Sequence, residues 1–165
     1  MTEHDGSVGQ LVLLADIARF PAMLVHPTHA RRFVQGKEWE IRNSRAGINS
    51  RKVGDPVIIL ETGVSKRGSN AGCNRLVGWA RWGGMEGPFF SLAMVRCHKG
   101  RHHTEDSEII ALRRTWKPWR QEMYMWKLTD FQELHGYARH SGGQTWTYIL
   151  KKDLIVMPDN NRSVA

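Results

Sequence analysis

The sequence has little of what marks secreted and membrane proteins. It contains only two cysteines, Cys73 and Cys97, in 165 residues. Two cysteines make no disulfide framework, so we expect a reducing compartment. The first residues carry no basic segment, and the apolar stretch 11–15 is too short for a signal peptide or a membrane span. We therefore expect an intracellular protein, cytoplasmic or nuclear, with no membrane partner.

The sequence also lacks the motifs of several enzyme classes. It has no G-x-S-x-G nucleophile turn, no glycine-rich phosphate loop and no paired carboxylates at the spacing of metal nucleases. Cys97, His98, His102 and His103 lie together, but adjacent Cys97 and His98 are poor geometry for zinc, and their basic neighbours favour an exposed loop. We expect no metal and no cofactor.

Positive charge is what the chain has in excess. It carries 24 Lys and Arg against 16 Asp and Glu, giving a formal charge of +8 and a pI near 9.9. This excess favours a polyanionic partner, RNA first and single-stranded DNA second, over a protein that is merely basic. The seven tryptophans are expected mostly in the core, with one or two on a base-stacking surface.

The apolar pattern predicts the fold class. Strands are predicted over 22–25, 37–42, 57–60, 75–82, 124–128 and 145–150, helices over 28–34 and 104–113, and irregular chain over 83–103. Five or six short strands with two or three helices indicate an α+β fold, a small and mostly antiparallel barrel. We expect one domain over 22–156, a leading segment over 1–21 and a polar tail over 157–165.

The segment 36–42 carries the densest mixture of charge and aromatic character. It holds two basic residues, two acids and a tryptophan in seven positions. In a regular strand, Glu40 shares one face with Arg42, whereas Lys37 lies on the opposite face with Trp39. A joint role for Lys37 and Glu40, three positions apart, would therefore require a bulge or a twist.

The order of the short motifs resembles that of an ASCH domain, a member of the PUA-like superfamily of small RNA-associated β-barrels. The signature G-x-K-x-x-E-x-R is matched by Lys37, Glu40 and Arg42, and the run W-E-I-R is similar to the form in many members. Further family motifs are resembled, in the same order, by residues 26–27, 53–57, 76–80, 124–128 and 143–146.

Three positions depart from the family pattern. Gln35 stands where the signature has glycine, and Gly36 follows it. Thr28 stands where many members have tyrosine. Glu40 stands where the related bacterial acetylcytidine amidohydrolases have threonine, so this chain differs from those enzymes at an active-site position.

The resemblance implies a PUA-like barrel that recognises RNA or a modified nucleotide in a basic cleft. Lys37 and Arg42 would neutralise a phosphate, and Glu40 would accept hydrogen bonds from a base amino group. A structural salt bridge between Glu40 and Arg42 is the alternative, and the two interpretations are compatible. The expected nucleic-acid contacts are Lys37, Trp39, Glu40, Arg42, Arg45, Arg51, Lys52, Lys66, Arg67 and Trp79.

Two other functions stay open. The first is a metal-independent hydrolase, a ribonuclease or a modified-nucleoside amidohydrolase, with Lys37, Glu40, His140 and Ser141 as candidate catalytic residues. The second is a protein-interaction module in a transcription or translation complex.

A second basic stretch lies further along the chain. Between 113 and 120, arginines and a lysine alternate with Trp116 and Trp119. This pattern suits single-stranded nucleic acid. A helix edge that packs both tryptophans into the core explains it almost as well.

Overall fold

The computed structural model describes residues 17–45, 51–63, 72–139 and 146–157. Its strands are β1 (Arg19–Val25), β2 (Trp39–Arg42), β3 (Pro56–Glu61), β4 (Cys73–Phe89), β5 (Met123–Glu133), β6 (His135–Arg139), β7 (Trp146–Leu150) and β8 (Leu154–Met157). Its helices are α1 (Pro27–Val34), α2 (Leu92–Arg96), α3 (Lys99–His102) and α4 (Asp106–Arg114), and a 3-10 turn covers Lys151–Asp153. The predicted α+β class is confirmed. Within these ranges, no helix has the length and apolar character needed to cross a membrane.

The strands hydrogen-bond in the order β2-β5-β4-β3-β1-β7, and β6 pairs with both β4 and β8. The pairings of β1 with β7, β2 with β5, β4 with β6 and β6 with β8 are antiparallel. The pairing of β1 with β3 is parallel and sets Ala22 opposite Ile58. Among the described strands this ladder is open, with β2 and β7 at its ends, so the predicted closed barrel is not confirmed.

The main error of the sequence prediction concerns residues 83–103. They were predicted to be irregular, but β4 continues to Phe89, and helices α2 and α3 follow. Gly83 lies within β4 and marks a close approach of two strands, because a Cβ there would lie 3.1 Å from the Cβ of Lys127. Strands β6 and β8 were not predicted at all.

The chain divides into two compact units. The first unit comprises Met1–Val25, Val57–Trp79 and Gln132–Ala165. Its buried apolar cluster consists of Phe20, Ala22, Leu24, Ile58, Leu60, Leu76, Trp79, Leu134, Ala138 and Ile149. Among its described residues, Asn74 is the buried polar side chain. The Asn74 amide nitrogen donates to the carbonyls of Glu61 (3.1 Å) and Gly63 (2.8 Å), which compensates the burial of that nitrogen, while the buried Oδ1 has no hydrogen-bond partner in the part of the chain that the structure describes.

The second unit comprises His26–Pro56 and Ala80–Phe131. Its buried apolar cluster consists of Trp39, Ile41, Val95, Ile109, Met123 and Met125. This unit also buries two side chains of opposite charge, Lys37 and Glu40. Full burial of Lys or Glu is rare unless the group is paired, so these two residues mark the place where a site is expected.

Candidate functional site in the second unit

Lys37 is positioned by the end of helix α1. The N–H of Gly36 donates to the carbonyl of Phe33 (3.2 Å), and the N–H of Lys37 donates to the carbonyl of Arg32 (2.9 Å). These two bonds form a Schellman motif, which needs a left-handed residue at its centre. Gly36 supplies it with φ of +94°. The glycine after Gln35 thus has a defined backbone role: it turns the chain and directs Lys37 towards the protein interior.

Strand β2 begins at Trp39 and not at Lys37 as predicted. The residue between them, Glu38, donates its N–H to the carbonyl of Arg101 and accepts from the N–H of Leu128, which leads the chain into the strand. Lys37 therefore belongs to the turn, and its side chain is not bound by the alternation of the strand. No bulge is needed for Lys37 to meet Glu40.

One carboxylate bridges two cations at this point. Glu40 Oε2 accepts from Lys37 Nζ at 2.5 Å, and Glu40 Oε1 lies 3.4 Å from an Nη atom of Arg42. The exposed fractions of the Lys37, Glu40 and Arg42 side chains are 1%, 8% and 20%. The Phe33 ring lies 5.2 Å from the Lys37 ammonium. We call these three charged residues the buried network; Arg42 is its most accessible member.

The charges of the buried network act on one another. Burial raises the pKa of Glu40, but Lys37 and Arg42 outweigh burial and leave that pKa below its ordinary value. Burial lowers the pKa of Lys37, against the opposing effect of Glu40, and leaves it below its ordinary value. Burial also lowers the pKa of Arg42, against the opposing effect of Glu40. The arrangement thus favours an ionised carboxylate and makes the Lys37 ammonium more acidic than a lysine in water.

A second polar group, which the sequence analysis missed, lies beside the buried network. The guanidinium of Arg32 binds Glu108 through two bonds of 2.7 and 3.0 Å, and one Arg32 Nη atom lies 3.4 Å from His29 Nδ1. The hydrogen bond from Arg32 lowers the pKa of Glu108 to about 2. Burial lowers the pKa of His29, on which Lys37 and Glu40 also act electrostatically.

Part of this second group was visible in the sequence. His29 and Arg32 are three residues apart on helix α1, and residues at this spacing lie on one helix face. Glu108 is 76 residues from Arg32, so no local spacing connects the two. The only local signal was the capping box of α4, in which the Glu108 side chain accepts from the N–H of Glu105 (2.8 Å).

The accessible side of the buried network combines arginines with aromatic rings. The guanidinium of Arg42 lies 5.5 Å from the ring of Trp126, and that of Arg45 lies 5.5 Å from the ring of Tyr124. Both rings belong to β5, which pairs with β2. We call Arg42 and Arg45 the basic edge. The contacts with Trp126 and Tyr124 hold the two guanidinium groups against aromatic rings, and Arg45 remains exposed.

Two other predicted contacts, Arg51 and Lys52, follow Arg45 along the sequence. Arg51 is half-buried and Lys52 is exposed. The N–H of Lys52 donates to Asp55 Oδ2 at 2.8 Å, which fixes the backbone at this point of the loop. Lys66, Arg67, His140 and Ser141, which were predicted as site residues, lie outside the described residues.

The two tryptophans predicted to contact nucleic acid are core residues. Trp39 is 4% exposed and Trp79 is 1% exposed. The cations of Arg101 and Lys127 lie 5.0 and 4.9 Å from the Trp39 ring. A base would have to displace protein atoms to reach either ring, so we leave both tryptophans out of the site.

The cysteine and histidine group is occupied by structural contacts. The ring of His98 lies 4.9 Å from that of Trp39, and Nε2 of buried His102 lies 3.1 Å from the carbonyl of Val95. Within the part of the chain that the structure describes, no group of three or more His, Cys, Asp or Glu side chains has a metal-binding arrangement.

Comparison with known proteins identifies the fold. The sequence matches no protein-family model and no curated protein. The structure is similar to an ASCH protein from Zymomonas mobilis at TM-score 0.58 and 14% identity, over 81% of this chain and 89% of that one. Two single-residue mutants of the Zymomonas mobilis protein also align over 81% of this chain, each at TM-score 0.56. One has 16% identity over 91% of its own length, and the other has 15% identity over 89% of its own length. This chain therefore has an ASCH-like fold.

Proposed function

We propose that this chain binds RNA, or a modified nucleotide, at the basic edge that the buried network holds in place. The observation that carries the proposal is the burial of the Lys37–Glu40 pair, 1% and 8% exposed. Removing two charges from water costs several kcal/mol per ion, and apolar residues at such positions are often as stabilising or more so. Stability alone is thus a weak reason for this pair, whereas positioning a charged ligand contact is a strong one.

Each charged side chain of the buried network would have a separate role in binding. Glu40 uses one oxygen for Lys37 and the other for Arg42, so its role is to orient the Arg42 guanidinium rather than to read a base. Arg42 and Arg45 would then bind phosphate oxygens, since a guanidinium matches phosphate geometry with two parallel donors. Lys37 would keep Glu40 ionised. Two features support a nucleic-acid ligand: the formal charge of +8 and the ASCH-like fold.

A charge-neutral double substitution tests the proposal. Lys37→Met with Glu40→Gln removes the buried pair without changing the net charge. We expect the affinity for a labelled single-stranded RNA of about 12 nucleotides to fall about tenfold, because Arg42 loses its fixed orientation. The readout is fluorescence anisotropy at low salt, with circular dichroism to confirm the fold.

The matched control removes an ion pair of the first unit. Arg75 and Glu61 lie 3.7 Å apart, and Arg75 is 53% exposed. Arg75→Met with Glu61→Gln makes the same kind of change and should leave RNA affinity within about twofold. Equal affinity of the wild-type protein and the Lys37/Glu40 variant would overturn the proposal.

A metal-independent hydrolase is the second candidate. It is favoured by two groups whose pKa values burial lowers and which act on each other electrostatically, Lys37 and His29. Perturbed groups beside one another are typical of acid–base sites. The ligand classes are the same as for the binding function, RNA or a modified nucleoside.

Catalysis is tested by incubating the protein with labelled single-stranded RNA and with acetylcytidine, with and without chelator. A hydrolase should give product that chelator leaves unchanged and that Lys37→Met and His29→Gln each reduce strongly. Product formation no greater than that of the Lys37→Met variant would remove this candidate.

A further inference from the structure

The turn after helix α4 exposes a tryptophan side chain. Trp119 is 74% exposed, whereas Trp116 is half-buried and packs against the apolar cluster of the second unit. The two tryptophans of the second basic stretch therefore have different roles. Trp116 anchors the segment, and Trp119 projects into solvent, an unusual position for so large an apolar ring.

The turn that carries Trp119 is held by several hydrogen bonds. The N–H of Arg120 donates to the carbonyl of Lys117 at 2.8 Å. The Gln121 amide donates to two carbonyls, those of Arg113 and Lys117, both at 3.2 Å. Pro118 restricts the backbone within the turn. The indole is thus presented on a braced scaffold, and ordering it on a ligand costs little conformational entropy. We call residues 117–121 the Trp119 turn.

The surroundings of the exposed ring are positive. Arg114, Lys117 and Arg120 are all exposed, and the Lys117 ammonium lies 6.0 Å from the centre of the Trp119 ring. The Trp119 turn itself contains no acid. An exposed indole with one cation at its ring and two more exposed cations within five residues in sequence is complementary to a ligand that offers flat rings and negative charge at short intervals.

We propose that the Trp119 turn is a second contact site for single-stranded nucleic acid. An unpaired base stacks on the indole of Trp119, and Arg114, Lys117 and Arg120 neutralise the flanking phosphates. This site rests on the proposed function for the nature of the partner, but it does not use the buried network.

The geometry favours a strand over other partners. A membrane surface would need a larger apolar face than one indole. A duplex keeps its bases stacked and does not offer a ring face along its length. An acidic peptide matches the cations but leaves the flat face of Trp119 without a specific partner.

The test uses Trp119→Ala and two ligands, a labelled single-stranded RNA of about 12 nucleotides and the mononucleotide AMP. We expect about tenfold weaker binding of the RNA, because one stacked base is lost, and unchanged binding of AMP. Trp119→Phe should restore most of the affinity. The matched control is Phe90→Ala, which removes another exposed aromatic ring of the second unit, 62% exposed, and should have no effect.

The cations are tested through salt dependence. Replacing Arg114, Lys117 and Arg120 together by Gln should lessen the slope of log affinity against log salt by about 0.7 for each phosphate that is no longer neutralised. A slope equal to that of the wild-type protein would contradict their role.

The outcomes separate this site from the basic edge. Loss of RNA binding in Trp119→Ala with AMP binding intact supports the second site. Loss of AMP binding in the Lys37/Glu40 variant would support the basic edge and would leave the second site unaffected. Wild-type RNA affinity in Trp119→Ala would overturn the second site. The second site would also be overturned if Trp119→Ala weakened the binding of duplex RNA as much as that of single-stranded RNA. The same holds if Trp119→Ala weakened only the binding of a poly-glutamate peptide.

Discussion

The two units of the molecule bury polar groups in opposite ways. The first unit buries the neutral Asn74, whose amide donates to two carbonyls. The second unit buries Lys37 and Glu40, and their charges interact with the half-buried Arg42. Both units also have an apolar cluster. The difference therefore lies not in whether there is a core but in what is buried beside it.

The two kinds of buried polar group differ in what their burial costs. The Asn74 side chain is neutral and its amide nitrogen is hydrogen-bonded, so its burial costs less than that of an ion. A buried ion pair loses several kcal/mol of hydration per ion and regains it only with good geometry. We infer that the first unit is built for stability, and that the second unit gives up some stability to hold Arg42 in a fixed orientation.

The largest expected effect comes from leaving one buried charge without its partner. Glu40→Gln keeps the shape of the side chain but removes the counter-charge of Lys37, and should lower the free energy of unfolding by about 3–5 kcal/mol. Adding Lys37→Met should restore at least half of that loss, because the stranded charge is gone. Urea denaturation measures both variants. A Glu40→Gln cost near zero would remove the contrast between the units.

The stability of the first unit should be sensitive to the loss of side-chain volume from its apolar cluster. Leu76 is 1% exposed within its apolar cluster. Leu76→Ala should lower the free energy of unfolding by about 2–5 kcal/mol, by the same amount at acid and neutral pH, because no charge is involved. RNA affinity of the folded variant should equal that of the wild-type protein, and a loss of affinity would assign the first unit a part in binding.

The pair between Arg32 and Glu108 should make stability depend on pH in the acid range. The pKa of Glu108 is lowered from 4.5 to about 2, so the folded state binds its proton less tightly than the unfolded state does. The contribution of the pair is complete above pH 4.5 and is lost as pH falls towards 2. Because the Arg32 and Glu108 side chains are 19% and 29% exposed, we expect about 1 kcal/mol.

Glu108→Gln checks this expectation. The variant should be less stable than the wild-type protein at neutral pH, and the two should converge as pH approaches 2. Parallel stability curves over that range would show that the pair does not provide the pH dependence.

The smallest effect on stability should come from the exposed part of the basic edge. Arg45→Gln should change the free energy of unfolding by less than about 0.5 kcal/mol. RNA affinity should still fall several-fold, with a salt slope lower by about 0.7 if Arg45 neutralises one phosphate. A stability loss with unchanged affinity would make Arg45 a structural residue.

The sequence predicted local features better than tertiary ones. Helix α1 formed over nearly the predicted residues because Pro27 opens it and Gly36 follows its end, and both signals are local. The G-x-K-x-x-E-x-R signature also identified Lys37 and Glu40 as candidate site residues. Alternation nevertheless placed Lys37 in the strand, because a Schellman motif is defined by backbone bonds that composition does not reveal.

The remaining errors have the same physical origin. Arg32 and Glu108 meet only through tertiary packing. The continuation of β4 beyond the predicted end at residue 82 includes Gly83, which permits a close approach to Lys127, and that approach is a tertiary contact. Exposure separates Trp119 from the buried tryptophans, and no spacing in the sequence reports exposure.

The most direct test of the central claim compares one arginine from each unit. Arg42 lies 5.5 Å from the ring of Trp126 in the second unit, and Arg19 lies 4.5 Å from the ring of Tyr148 in the first. Arg42→Gln and Arg19→Gln remove the same charge from the same kind of aromatic contact. Measured by fluorescence anisotropy on one single-stranded RNA, Arg42→Gln should weaken binding about tenfold and Arg19→Gln less than about twofold. Equal losses, or no loss in Arg42→Gln, would contradict the account.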